Sequence, residues 1–169
     1  EDFSEVKNYL EKLNLINERP ETVSLYFKTH PDVVDKCISL LKIIDVNAMC
    51  LKLHKVKTKE ELIIGLSQFI DEKSISAVIT QLIAITQGEK KLILDTKIKN
   101  SKGEYRDINL RWNVIHGYEK TFERIIVSTE DITDRKSSEN NILKSKQRTE
   151  SLINNIDGIV WECDVKSLN

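Results

Sequence analysis

The stretch Phe122-Glu-Arg-Ile-Ile-Val-Ser-Thr-Glu-Asp-Ile-Thr-Asp-Arg-Lys136 joins an apolar segment directly to a charged one. The β-branched run from Ile125 to Val127 is typical of a buried strand. Thr133 can cap a helix, and the acids and bases after it favour a helix start. The stretch therefore predicts a strand that runs straight into a helix, and the rest of the chain is interpreted around this junction.

The composition is that of a soluble globular protein with a real core: 169 residues, of which 40% are hydrophobic and 31% charged. The 26 basic residues balance 27 acidic ones, so no net field recruits nucleic acid or anionic lipid. No apolar run reaches the roughly 18 residues that span a membrane. Residues Glu1 to Ser4 contain neither a start methionine nor a signal peptide. We expect a piece of a longer, cytoplasmic protein.

Apolar residues recur at helical spacing through the first part of the chain. The pattern predicts one helix from Phe3 to Leu15, a second that begins at Pro20, and a third over residues 32–41. The period then changes, and residues 43–46 predict a short strand. Asn47 can cap the helix that follows this strand.

The middle of the chain predicts two more capped helices and then a sheet. Thr58 to Glu61 is a capping box, and Ser74 to Gln87 forms a helix that Gly88 ends. After Gly88 apolar and polar residues alternate, as they do in strands. Three antiparallel strands are predicted, joined by loops at residues 100–103 and 117–120; they cover residues 92–98, 108–114 and 122–130.

A polar helix is predicted from Thr133 to about Asn154. Its heptad seam contains three hydroxyl side chains, which predicts a weak and adjustable coiled coil. The seam consists of Arg135, Ser138, Ile142, Ser145, Thr149, Leu152 and Ile156. Gly158 to Val165 then predicts one more strand.

In this order the elements resemble a PAS domain, of the sensory-box family. The matching motifs are Asp45-Val-Asn-Ala48, Lys59-Glu-Glu-Leu62, Gly103 in the hairpin and Asp131-Ile-Thr-Asp-Arg135. Residues 148–165 are similar to the start of a second PAS domain. The resemblance implies an α+β fold, with a PAS-like antiparallel sheet and short helices on one face.

The resemblance also implies a division of the chain and its setting. We predict an N-terminal helical extension, a PAS core, a linker helix and a truncated first strand of a following PAS domain, at residues 1–41, 42–133, 134–156 and 157–169. The implied parent is a multidomain sensor, such as a two-component histidine kinase or a cyclic-dinucleotide enzyme. The implied partners are downstream domains of the same chain, a second copy in a homodimer, and a small-molecule ligand.

One departure from the family concerns its usual first strand, since the residues before 43 read as a helix. We hypothesise that Gly158 to Val165 pairs in that place, within one chain or from a second molecule.

The family holds haem, flavin or small organic molecules between helices and sheet, and the sequence argues against the first two. His54 is flanked by lysines and predicted to face solvent, while His30 and His116 lie in predicted loops, so no axial haem ligand is indicated. The photochemical cysteine motif is absent, and Cys50 lies on an earlier helix. Cys37, Cys50 and Cys163 are widely spaced and predict reduced thiols that pack as small apolar residues. The cofactor is therefore unknown and no metal site is predicted.

Eight apolar residues are candidates for lining a ligand cavity, and the alternative is that they simply pack against each other. Trp112 is the most informative, because its ring either roofs the cavity or lies on the outer sheet face against the first helix. The eight are Met49, Leu53, Ile79, Leu82, Leu94, Leu110, Trp112 and Val127.

The exit motif predicts signal relay and no catalysis. Asp131, Thr133 and Asp134 are placed to fix a helix N-terminus, where negative charge is favourable. No phosphate loop, nucleophile with a base, or carboxylate-histidine cluster occurs. Two functions remain: a sensor that couples ligand or partner binding to its exit helix, and a ligand-free dimerisation scaffold. In the scaffold, the first helix would pack across a two-fold axis through Phe3, Val6, Leu10 and Leu13.

Overall fold

A computed structural model describes residues 1–71 and 73–154, and for residues 66–68 and 154 it describes the backbone alone. Over this part of the chain the fold is α+β, as predicted, with seven helices and one three-stranded sheet. The elements in chain order are α1 (Ser4–Lys12), α2 (Pro20–Thr29), α3 (Pro31–Leu40), α4 (Ala48–His54), α5 (Lys59–Phe69), α6 (Ile75–Thr86), β1 (Lys91–Lys99), β2 (Tyr105–Val114), β3 (Ile125–Asp131) and α7 (Thr133–Asn154).

The helix boundaries follow local signals in the sequence. Pro20 and Pro31 are the first residues of α2 and α3, where the missing N–H of proline costs nothing. The Asn47 side chain accepts from the Cys50 N–H at 2.9 Å, and the Thr58 hydroxyl accepts from the Glu61 N–H at 3.2 Å. These caps confirm the predicted starts of α4 and α5.

Both ends of α6 lie where the sequence predicts them, but the side-chain cap at its start is not formed. Gly88 has φ +66°, and the N–H of Glu89 reaches back to the Ala84 carbonyl at 2.9 Å, which is the glycine-ended helix stop. Ser74, in contrast, makes no cap. Its hydroxyl accepts from the Asp71 N–H at 2.8 Å instead, so the predicted Ser74 cap is wrong.

The three strands form the predicted meander, in the order β1-β2-β3 and antiparallel throughout. Trp112 pairs with Leu92 on one side and with Val127 on the other, which confirms that these residues share a face. The last strand begins at Ile125, three residues later than predicted. Phe122 lies outside it with φ +60° and is fully buried, because its ring packs against the Trp112 ring at 6.2 Å between centroids.

Helices α1 to α3 share one hydrophobic core with the sheet. Leu10, Val23 and Cys37 belong to the same buried cluster as Trp112. The Phe3 ring lies 5.6 Å from the Trp112 ring. Residues 1–133 form one compact unit, and a second unit begins at Asp134. The N-terminal helices are therefore a layer of the domain that carries the sheet.

The predicted strand at residues 43–46 is not formed. Only Lys42 makes a bridge, to Asp2, and residues 43–47 run without regular structure into α4. A strand requires a neighbouring strand to bind its N–H and C=O groups. At the outer edge of the sheet, the first residue of β3 is already hydrogen-bonded to another segment. There the Ile125 N–H donates to the Glu1 carbonyl at 2.9 Å, and the Glu1 backbone nitrogen donates to the Ile125 carbonyl at 2.8 Å.

Two further predictions meet different outcomes. The scaffold surface is wrong, because Phe3, Val6 and Leu10 are at most 4% exposed within one chain and cannot also form a two-fold interface. The hypothesis that Gly158 to Val165 replaces the first strand falls outside the described residues, as does the predicted start of a second PAS domain. Ile142 and Leu152, two apolar residues of the predicted heptad seam, lie on α7 with 58% and 61% of their surface exposed within one chain.

Candidate functional site

A cavity of about 760 Å³ lies between the helices and the sheet. Its walls come from all three strands, from α1 and α3 to α6, and from the irregular residues 43–47. Most of the wall is apolar, as is usual for a small-molecule site of this size. Five of the eight predicted residues line it: Met49, Leu53, Leu82, Leu110 and Val127. Met49 is 68% exposed, which places it at the mouth.

The other three predicted residues are not among the described residues of the cavity wall. Trp112 is fully buried between Phe3 and Phe122 in the core, so its ring does not roof the cavity. It packs beside the first helix, as in the second predicted position, but on the cavity side of the sheet. Ile79 packs against the same core from α6. Leu94 lies half-buried on β1. Face assignment alone could not separate core from cavity, because both lie on the same side of the sheet.

Sequence reasoning missed two parts of the wall. Residues 43–46 are predicted as a strand, but with Asn47 they run without regular structure along the cavity. The first residue, Glu1, also lines the cavity, and burial raises the pKa of its carboxyl group. No local sequence signal indicates either role, since each depends on what occupies the edge of β3.

His54 is another residue whose position differs from the prediction. It lines the cavity instead of facing solvent, and its ring stacks on Phe69 at 5.5 Å. Its Nδ1 atom is enclosed and has no hydrogen-bond partner among the described residues. Burial lowers the pKa of His54, so the ring is neutral at neutral pH. The lysines near it in the sequence do not predict the direction of its ring, because successive residues of a helix point about 100° apart.

The cavity contains two thiols, from Cys37 and Cys50. Burial raises the pKa of Cys37 to about 12. Burial, together with the Glu1 carboxylate, also raises the pKa of Cys50. Both side chains therefore stay protonated, and a protonated thiol is a poor nucleophile. Cys163 lies outside the described residues, among which no group of three or more His, Cys, Asp or Glu side chains is arranged for a metal ion.

The exit motif forms a compact hydrogen-bonded network where β3 ends. The Asp107 N–H donates to the Thr133 hydroxyl at 3.0 Å, and that hydroxyl donates to Asp131 Oδ1 at 2.5 Å. The Thr133 N–H donates to the same oxygen at 3.0 Å, and the Ile132 N–H to the Asp107 carbonyl at 2.8 Å. The first residue of α7 is thus tied to the start of β2.

Asp131 belongs to both features, because it also lines the cavity. Partial burial alone would raise the pKa of its carboxyl group. The hydrogen bonds from Thr133, with help from the Arg106 guanidinium at 3.9 Å, outweigh burial and lower that pKa. Asp134, the third predicted relay residue, lies in the first turn of α7.

We expect Asp131→Asn to lower the free energy of unfolding by about 0.5–1 kcal/mol at neutral pH, because it weakens a cap at a partly exposed site. The depressed pKa means that this stability is present above the unfolded value of 3.8 and is lost as pH falls through the folded one. Urea unfolding should therefore separate the variant from wild type near pH 7 and not at pH about 2.

The matched control is Glu123→Gln at an exposed position just before β3, which should change stability little at either pH. If Asp131→Asn had the same deficit in free energy of unfolding in acid as near pH 7, the carboxylate charge would not act through this network.

No family model matches the chain, and no curated protein matches it. Solved structures similar to this chain include "Crystal Structure of Sensory Box Histidine Kinase/Response Regulator from Burkholderia thailandensis E264", at a TM-score of 0.42 and 19% sequence identity. The match covers 50% of this chain and 65% of the other, which is less than two thirds of that chain's length. Among the described helices, none is long and apolar enough to cross a membrane.

Proposed function

We propose that the chain is a sensory module of the PAS type, which converts binding of a small molecule in its cavity into a change at its exit helix. The observation that carries the proposal is the position of Asp131. This one carboxylate lines the cavity and also holds Thr133, the first residue of α7, through two hydrogen bonds. A ligand that shifts β3 therefore acts on the start of α7 without any intervening element.

Other features support this assignment. The motif order that resembles the PAS family, the capping Asn47 and the three-stranded meander occur together in one α+β unit. The cavity lies against the strand that leads to the exit, and its wall is predominantly apolar. The mechanism needs no catalytic step from these residues. The proposed parent is a cytoplasmic multidomain protein whose output domains follow in the same chain. A second copy of the chain is a further proposed partner.

The coupling is between two states of the exit network. In one state Thr133 is held by Asp131 and Asp107 as described, and in the other some of these bonds are released. A ligand shifts the balance only by its differential affinity for the two states. Each hydrogen bond contributes about 0.5–1.5 kcal/mol, so a modest preference of the ligand is sufficient to change the populations.

The proposal is tested by filling the cavity. Ala77 lines the cavity from α6 and is 7% exposed, so Ala77→Phe places a ring in the space that a ligand would occupy. We expect native mass spectrometry to show a bound small molecule on the wild-type chain and none on the variant. We also expect the amide exchange rate of Thr133 to differ about fivefold or more between them.

The matched control is Ser76→Phe, one residue earlier on the exposed face of α6, which should keep both the bound molecule and the exchange rate. A wild-type chain that carries no ligand, and whose Thr133 amide is unaffected by Ala77→Phe, would overturn the proposal. An empty dimer under the same conditions would instead favour the dimerisation scaffold, through a surface other than the apolar face of α1.

A further inference from the structure

We propose that the outer edge of β3 takes up one extended strand of the longer polypeptide, which runs antiparallel to β3 and leads into Glu1. The inference goes beyond the proposed function, since it stands whether or not a small molecule binds. The observation that carries it is a row of backbone N–H and C=O groups on β3 that have no partner among the described residues.

The hydrogen bonds at the start of β3 establish which of its backbone groups point outward. Both backbone groups of Ile125 bond to Glu1, while the Arg124 carbonyl accepts at 2.9 Å from the segment that follows β2. Successive residues of a strand present their backbone groups to opposite edges, so Val127 and Thr129 share the outward direction of Ile125. An edge with unpaired groups of this kind can accept a further strand.

The space beside this edge is one strand wide. Glu1 bonds to Ile125 on one side. The next residue, Asp2, exchanges two hydrogen bonds with Lys42 on the other side, at 2.8 and 3.1 Å. Residues 43–46 continue from Lys42 and line the same cavity as β3. A single strand fits between two such neighbours, whereas the sheet edge of a second copy would bring its own adjacent strand into residues 43–46.

The direction and the source of the strand follow from the pairing of Glu1. Glu1 and Ile125 exchange two hydrogen bonds with each other, which is the antiparallel pattern. The Phe3 N–H donates to the Phe122 carbonyl at 2.9 Å, so residue numbers rise on one side as they fall on the other. A strand that keeps this register beside Val127 therefore lies on the N-terminal side of Glu1, in the same polypeptide.

The chemistry of the strand follows from the two faces of the sheet. Ile125 is buried, and Glu1, which pairs with it, lines the cavity. Because side chains alternate between faces, the residues that pair with Val127 and Thr129 also point into the cavity, whose wall is mostly apolar. The strand is therefore apolar at alternate positions, and it closes the cavity beside residues 43–46. It gives upstream parts of the protein a direct contact with the strand that leads to α7.

The test attaches the segment Val-Thr-Val-Thr-Val-Thr directly before Glu1, so that its valines pair with the outward residues of β3. We expect the amides of Val127 and Thr129 to exchange with solvent at least about tenfold more slowly in this extended chain. The matched control replaces the valines with prolines, which removes the N–H groups that would donate to β3 and should leave exchange unchanged. The Ser128 amide, which points towards β2, should exchange slowly in both.

The natural strand is tested in the longer protein itself, where the amides of Val127 and Thr129 should be protected without any addition. Free exchange there would overturn the inference. Protection in residues 1–169 alone would also overturn it, because another segment would then hold the edge, and a dependence on protein concentration would identify that segment as part of a second copy. A small molecule bound to a chain whose edge stays unprotected would leave the proposed function intact. A protected edge without any bound molecule would count against the proposed function alone.

Discussion

Replacing Trp112 with alanine should lower the free energy of unfolding by about 3–5 kcal/mol. The indole is fully buried, and its ring lies between those of Phe3 and Phe122. Truncation removes a ring contact between the segment before α1 and the sheet, and it leaves a cavity that the surrounding elements fill only in part. Since small domains are stable by only about 5–15 kcal/mol, the variant should unfold at much lower urea concentration.

Urea unfolding followed by far-UV circular dichroism measures this effect without depending on tryptophan fluorescence. Ile93→Ala on β1 is the matched control, because that side chain is 68% exposed and should cost little. Trp112→Phe should cost less than Trp112→Ala, since it keeps an aromatic ring and removes an indole N–H that has no partner among the described residues. A loss for Trp112→Ala no larger than that for Ile93→Ala would contradict the packing described here.

Leu10→Ala in α1 should lower the free energy of unfolding by about 2–5 kcal/mol. Leu10 is 0% exposed and belongs to the core cluster that includes Trp112 and Ile125. Because this burial occurs within one chain, the loss should be the same at low and high protein concentration. An interface between two copies would behave differently, since its stability depends on concentration.

The control for this substitution is Leu25→Ala in α2, which removes the same atoms from a side chain that is 63% exposed. It should change stability by less than about 0.5 kcal/mol. If the midpoint of unfolding of Leu10→Ala rose with protein concentration, the face of α1 would be an interface between copies after all.

The elements that the sequence predicted well are those with a local cause. Pro20 and Pro31 are found at the first positions of their helices, because the ring of proline fixes φ before any tertiary contact forms. The capping side chains of Asn47 and Thr58 act within three residues of themselves. The meander was predictable because alternation and short turns specify which strands pair.

The elements that were mispredicted depend on residues far away in the chain. Residues 43–46 have the composition of a strand, but at its start the edge of β3 holds Glu1 instead. Phe122 adopts φ +60° in a position where its ring is buried against Trp112. His54 was assigned to solvent because its neighbours are lysines, and the inward direction of its ring is set by Phe69.

The sequence by itself determined the class of fold, the succession of helices and strands apart from the strand expected at residues 43–46, and the start of α7 at Thr133, because helix caps, strand alternation and turn residues act over a few positions. Only the tertiary structure decided that a cavity exists, that Trp112 lies outside it and His54 inside it, and that Asp131 contacts both the cavity and Thr133. These outcomes depend on which distant segments meet, since an apolar residue looks the same in sequence whether its neighbour is another side chain or an open space.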